Sequence, residues 1–127
     1  MESVSQRFLR YVGYNTQSDE CSESCPSTVN QKLLGEQLVK EMLAMGIDDA
    51  RIDHNGYVYG TVPGDADLPV IGLIAHMDTS PDASGANVKP QIVCYSGGDI
   101  VLNEAKQIIL RQQEFDSLTE DIGTGRM

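Results

Sequence analysis

Several things are scarce in this 127-residue chain, and each scarcity removes a class of function. No stretch approaches the ~20 consecutive apolar residues that a bilayer-spanning helix needs, so no membrane partner is expected. Lysine and arginine total nine against nineteen acidic residues, a formal charge of −10, and no basic run occurs anywhere. The electrostatic requirement for gripping nucleic acid is therefore missing. Cysteine is both rare and odd in number: Cys21, Cys25 and Cys94 do not make a secreted disulfide framework. Cys21 and Cys25 lie four apart, which is neither the C-x-x-C redox spacing nor half of a convincing zinc site, so all three read as free thiols with metal binding a minor alternative. The opening MESVSQRFLR lacks the apolar core of a secretion signal, and the cytoplasm is the expected location.

What is present suits one folded domain. Apolar residues make up 40% of the chain, with glycine and proline scattered through it. Ser3 and Gln6 form a capping-box pattern, and Val4, Phe8, Tyr11 and Val12 then fall on one helical face, which predicts a helix from about Ser3 to Val12. Residues 13–27 are polar and predict an exposed loop. Ser27 or Thr28 would cap a second helix carrying Leu34, Leu38, Met42 and Met45 as its inward stripe, weakened at Gly35 and stopped at Gly46 before Ile47. Its methionines read as core fillers. Asn55-Gly56 between Ile52 and Tyr59 predicts a hairpin, with His54 a solvated turn residue.

Val70 to Ala75 is an apolar run rich in β-branched side chains, which reads as a strand buried on both faces of a helix-covered sheet. The expected fold is therefore α/β, a mixed sheet flanked by helices. The run stops at His76 and Asp78, and ligands in such sheets are held beyond the carboxyl ends of strands. Residues two apart in extended backbone point the same way, so Asp78 can fix one nitrogen of the His76 ring and leave the other for a metal. A histidine that simply ends a strand and bonds to nearby backbone is the alternative. Beyond it, Gln91 to Tyr95 has the makings of a short strand, Gly97 to Asp99 of a turn, Ile100 to Leu102 is again apolar, Ala105 to Leu118 reads as broken helix or coil, and Thr119 to Met127 has no core-forming pattern.

IGLIAHMDTSPDASGANVKPQIV followed by GGDIVLN resembles the peptidase T family, the tripeptide aminopeptidases among the metallopeptidases with a two-zinc site. RFLRYVGYNTQSDE and NGYVYGTVPG resemble the same family in the same order, so the similarity runs from about Arg7 to Leu118. His-Met-Asp-Thr is shared with a wider clan of aminoacylases, dipeptidases and carboxypeptidases; Ser-Pro-Asp, Asn-Val-Lys-Pro and Gly-Gly-Asp-Ile narrow it.

That resemblance implies that His76 is a zinc ligand and Asp78 the active-site carboxylate that tunes it. It further implies hydrolysis assisted by two zinc ions, with a glutamate as general base, releasing the first residue of a tripeptide. The family's other metal ligands and its glutamate pair have no counterpart here, and no motif assigns them to Asp116, Glu120 or Asp121. The chain is thus expected to be the N-terminal half of a zinc-peptidase catalytic domain, incomplete and inactive alone, with one zinc ligand present and with the C-terminal half and oligomerisation domain outside it. Such a piece would associate with the missing half or with itself through an open sheet edge. The alternatives are a noncatalytic remnant or interaction module, and a related dipeptidase or deacylase.

Overall fold

The structure is a computed structural model that describes residues 2–120 and 122. It divides into two compact units, residues 1–89 and 90–127. Residues 121 and 123–127, where the sequence shows no core-forming pattern, lie outside the described ones.

In the first unit, α1 spans Val4–Tyr11 and starts as the capping box predicts: the Ser3 hydroxyl accepts from the Gln6 amide while Gln6 Oε1 accepts from the Ser3 amide. The apolar face expected to bury does not, with Val4 and Phe8 both exposed. A polar seam holds α1 instead. Glu41 on α2 (Asn30–Ala44) accepts from Arg10 Nη2 at 2.7 Å and from the Tyr11 hydroxyl, with Arg7 Nε at 4.0 Å.

α2 differs from expectation at its start. Val29 is the cap residue and bonds no side chain to the helix, because Ser27 Oγ is taken by the Asp19 amide and Gln31 Nε2, and Thr28 Oγ1 donates to the Gln17 carbonyl. Its end follows the glycine signal. Gly46 adopts φ +87°, its amide bonds to Leu43 and the Ile47 amide to Met42, a Schellman stop. Leu34 is buried, but Leu43 and Met45 are exposed, so Met45 is not the core filler the stripe predicts. It lies instead beneath Arg7, whose Nη1 is 3.6 Å from its sulfur.

β1 (Arg51–Ile52) and β2 (Val58–Tyr59) pair antiparallel and fold back over α2. Gly35 is the reason they come so close, since a Cβ there would sit 2.6 Å from Ile52 Cδ1 and 3.3 Å from Val58 Cγ2. The turn is organised by Asp53 as much as by Asn-Gly: Asp53 Oδ1 accepts from the Asn55 and Tyr57 amides, and Gly56 takes φ +87°.

The expected central strand is not formed. Residues 70–75 have no strand partner among the described residues, and Val70, Ile71, Leu73 and Ile74 are 97, 83, 95 and 99% exposed. A strand exists only by its ladder, and nothing described offers this run one. Helices with small antiparallel sheets agree with the α/β class expected, but the sheet is not the mixed one: among the described residues each unit has one two-stranded antiparallel sheet, and the parallel element is a single bridge between Gln17 and Thr79.

In the second unit, β3 (Ile100–Asn103) and β4 (Ile108–Leu110) form an antiparallel hairpin with a bulge near Asn103. A 3-10 turn over Gln112–Glu114 and a short α3, Asp116–Glu120, follow. Ile108–Leu110 is thus strand where broken helix or coil is predicted, and residues 91–95 form no strand. Gln112 ties the unit together, its Oε1 accepting from Gly98 N at 2.7 Å and its amide donating to Asp99 Oδ1.

Candidate functional site

His76 and Asp78 follow the apolar run, and extended backbone turns both side chains the same way. The ring Nδ1 is 2.9 Å from the Asp78 carbonyl oxygen and 3.2 Å from its Oδ1. A carbonyl oxygen carries no proton, so Nδ1 is the donor, and in the neutral ring the lone pair is on Nε2. Both arrangements that the sequence allows for this histidine, carboxylate pairing and backbone bonding, are therefore present at once. The His76 side chain is 84% exposed, not turned in among aliphatic groups.

The pair opens on a cleft of about 750 Å³ in the first unit. One side is lined by Leu73 to Asp78, the other by β2 and its turn, Tyr57 to Tyr59, with Cys25 and Pro26 beside them. Cys25 is free and exposed, as are Cys21 and Cys94, in agreement with their reading as thiols. His54 is exposed on the turn and contributes only its carbonyl, which accepts from Lys32 Nζ at 2.7 Å.

Loop 79–85, which leaves the site, rests on the polar linker before α2. Thr79 N donates to the Thr16 carbonyl, Ser18 N to the Thr79 carbonyl, Gln17 Nε2 to the Pro81 carbonyl, and Gly85 N to Gln17 Oε1. The sequence marks residues 13–27 only as polar and exposed, yet Thr16 is 3% exposed. Its burial comes from this loop, a contact across some sixty residues that no local pattern announces.

No protein-family model matches the chain. Proteins named Peptidase T do: that of Geobacillus sp. (strain WCH70) is 50% identical over 118 residues, 91% of this chain and 29% of the relative. That of Alkaliphilus oremlandii is 51% identical over 128 residues, 97% of this chain and 31% of the relative, and that of Bacillus subtilis (strain 168) is 48% identical over 121 residues. The chain's relatives are peptidase T proteins. The likeness to peptidase T read from the His-Met-Asp-Thr and Gly-Gly-Asp-Ile stretches is thereby borne out, and the chain spans about 30% of the length of the curated peptidase T relatives it matches.

A zinc site takes three or more protein ligands. Among the described residues no three His, Cys, Asp or Glu side chains are grouped to hold a metal ion, so these residues do not by themselves fit one. Likewise no described helix is long and apolar enough to cross a membrane.

Proposed function

We propose that this chain is the N-terminal segment of a zinc-dependent tripeptide aminopeptidase of the peptidase T kind, working in the cytoplasm. In this reading His76 is one ligand of a two-zinc centre, Asp78 is the carboxylate that orients its ring, and the remaining ligands come from polypeptide outside this chain. The observation that carries it is the His76 ring itself. It is held through Nδ1 by Asp78 and open at Nε2, within a sequence half identical to proteins named Peptidase T. A carboxylate-held imidazole with its outer nitrogen free is the usual form of a metal-ligating histidine.

The test is complementation. Purified chain, with zinc and a tripeptide, is assayed alone and after mixing with the C-terminal portion of a Peptidase T relative. Hydrolysis is expected only in the mixture and is expected to disappear with His76→Ala. Hydrolysis that survives His76→Ala removes His76 from the centre and ends this reading. Comparing tripeptides with dipeptides and N-acylated amino acids in the active mixture separates an aminopeptidase from a dipeptidase or deacylase.

A second reading is favoured by the four exposed apolar side chains of residues 70–74: a noncatalytic module that associates through this run. Zinc titration of the chain separates the two. Weak, single-site uptake that becomes tight on adding the C-terminal portion supports the enzyme. Association with that portion without any gain in zinc affinity supports the module.

A further inference from the structure

The peptide group joining Asp78 to Thr79 is engaged at both ends. Its carbonyl accepts from His76 Nδ1 at 2.9 Å, and its N–H donates to the Thr16 carbonyl at 3.2 Å. A peptide group is planar and stiff, so the carbonyl cannot turn without swinging the N–H off Thr16. The ring of His76 is in this way coupled to a residue 60 positions earlier that is almost fully buried.

The next peptide is fixed as well, since the Thr79 carbonyl accepts from the Ser18 amide at 2.9 Å and from Ser18 Oγ at 3.0 Å. Gln17 then closes the arrangement with both ends of its side-chain amide: Nε2 donates to the Pro81 carbonyl at 3.2 Å and Oε1 accepts from Gly85 N at 3.1 Å. One flat group with a donor and an acceptor is what this needs; a glutamate lacks the donor and an alanine lacks both. The linker is itself moored, through the Thr28 hydroxyl on the Gln17 carbonyl. Gly85 completes the fit, because a Cβ there would lie 2.8 Å from Asn15 Oδ1.

We propose that the linker Asn15–Ser18 positions the His76 ring through the Asp78–Thr79 peptide, and that Gln17 is the positioning residue that keeps loop 79–85 on that linker. Its consequence is a choice of tautomer: proton on Nδ1, lone pair on Nε2 facing out. The proposal depends on the zinc-peptidase reading only for the importance of that ring. Its test uses neither metal nor peptide, so either idea can fail while the other stands.

The 15N-labelled 127-residue chain is examined by NMR at about pH 8, where an ordinary imidazole is neutral. Long-range 1H–15N spectra report which ring nitrogen of His76 carries the proton, and amide exchange reports Gly85. Gln17→Ala is expected to speed Gly85 exchange about fivefold, the loss of one ordinary hydrogen bond. In the same sample the His76 proton is expected to move from Nδ1 toward the Nε2–H mixture of free histidine. Gln17→Glu keeps the acceptor for Gly85 and loses the donor to Pro81, so Gly85 stays protected while the ring signals shift part of the way. Gly85→Ala presses on the clamp from the loop side with Gln17 intact and gives the same ring shift, which decides the matter if Gln17→Ala does not fold. Faster loop exchange in Gln17→Ala and Gly85→Ala with ring nitrogens unchanged would overturn the proposal, leaving Gln17 as loop glue. So would unchanged Gly85 exchange in Gln17→Ala.

Discussion

Leu34 is 7% exposed and Ile74 is 99% exposed, although both belong to apolar stretches of the same unit and would gain about the same from burial. The difference is what lies opposite. Leu34 lies beside Gly35, which faces a hairpin that returns within about twenty residues and lays Ile52 and Val58 against the helix. The 70–75 run has nothing comparable closing on it: beyond its end the chain is gripped at Thr79, Pro81 and Gly85, and by polar linker atoms. Four large aliphatic side chains left in water forgo roughly 1.5–3 kcal/mol each, a total on the order of a whole domain's stability. Apolarity states a demand for cover, and only a surface arriving from elsewhere in the fold can meet it.

The widest gap between the two stretches should appear in hydrogen exchange. Amides around Leu34 are expected to exchange on the order of 10³-fold more slowly than those of residues 70–75, which should run near free-peptide rates. Adding the C-terminal portion of a Peptidase T relative should protect 70–75 and leave α2 nearly unchanged. Protection of the run in the isolated chain would break the comparison.

Next in size is side-chain truncation. Leu34→Ala should cost about 3 kcal/mol in denaturant unfolding, whereas Ile74→Ala should stay within about 0.5 kcal/mol because it empties no packed space. Gly35→Val sharpens the same point from the other side. A valine gains a little helix propensity over glycine, but its side chain must enter space held by Ile52 and Val58, for a net loss of about 2 kcal/mol.

The same distinction explains what could be read from the residues. The Ser3–Gln6 capping box, the Gly46 stop, the turn at Asn55-Gly56 and the meeting of His76 with Asp78 all involve partners within a few positions, and all formed where the sequence put them. The failures involve partners far along the chain. Gly35 reads as a helix defect because nothing near it says that a hairpin will press on it. Ser27 and Thr28 were good caps by type, but Asp19 and Gln17 claimed them first. Ile108–Leu110 became a strand through pairing with Ile100 to Asn103, which outweighed a weak helical pattern. In the candidate site, the histidine and its acid were visible in the sequence, while the linker beneath them was not.

The smallest effect belongs to the polar seam between α1 and α2, where charge rather than apolar area does the holding. Burial alone would raise the Glu41 carboxyl, yet hydrogen bonds from Tyr11 and Gln37 and the positive charges of Arg10 and Arg7 more than offset it and leave it below its ordinary value. Tyr11 is pushed the other way, by burial first and then by its bond to Glu41 and that carboxylate's charge. The signs set a window. A lowered carboxyl contributes stability that is present above its unfolded value near 4.3 and lost as pH falls through the lower folded value; a raised phenol contributes stability present below about 10 and lost as pH rises beyond it. The seam should therefore be intact between about pH 5 and 9 and loosen at both extremes. Glu41→Gln should cost about 1 kcal/mol and flatten the acid limb. Tyr11 and Phe8 ring signals followed against pH should move before the methyl signals of Ile52 and Val58. If all four move together, α1 is held by the same packing that buries Leu34, and the contrast between a covered and a merely tethered element disappears.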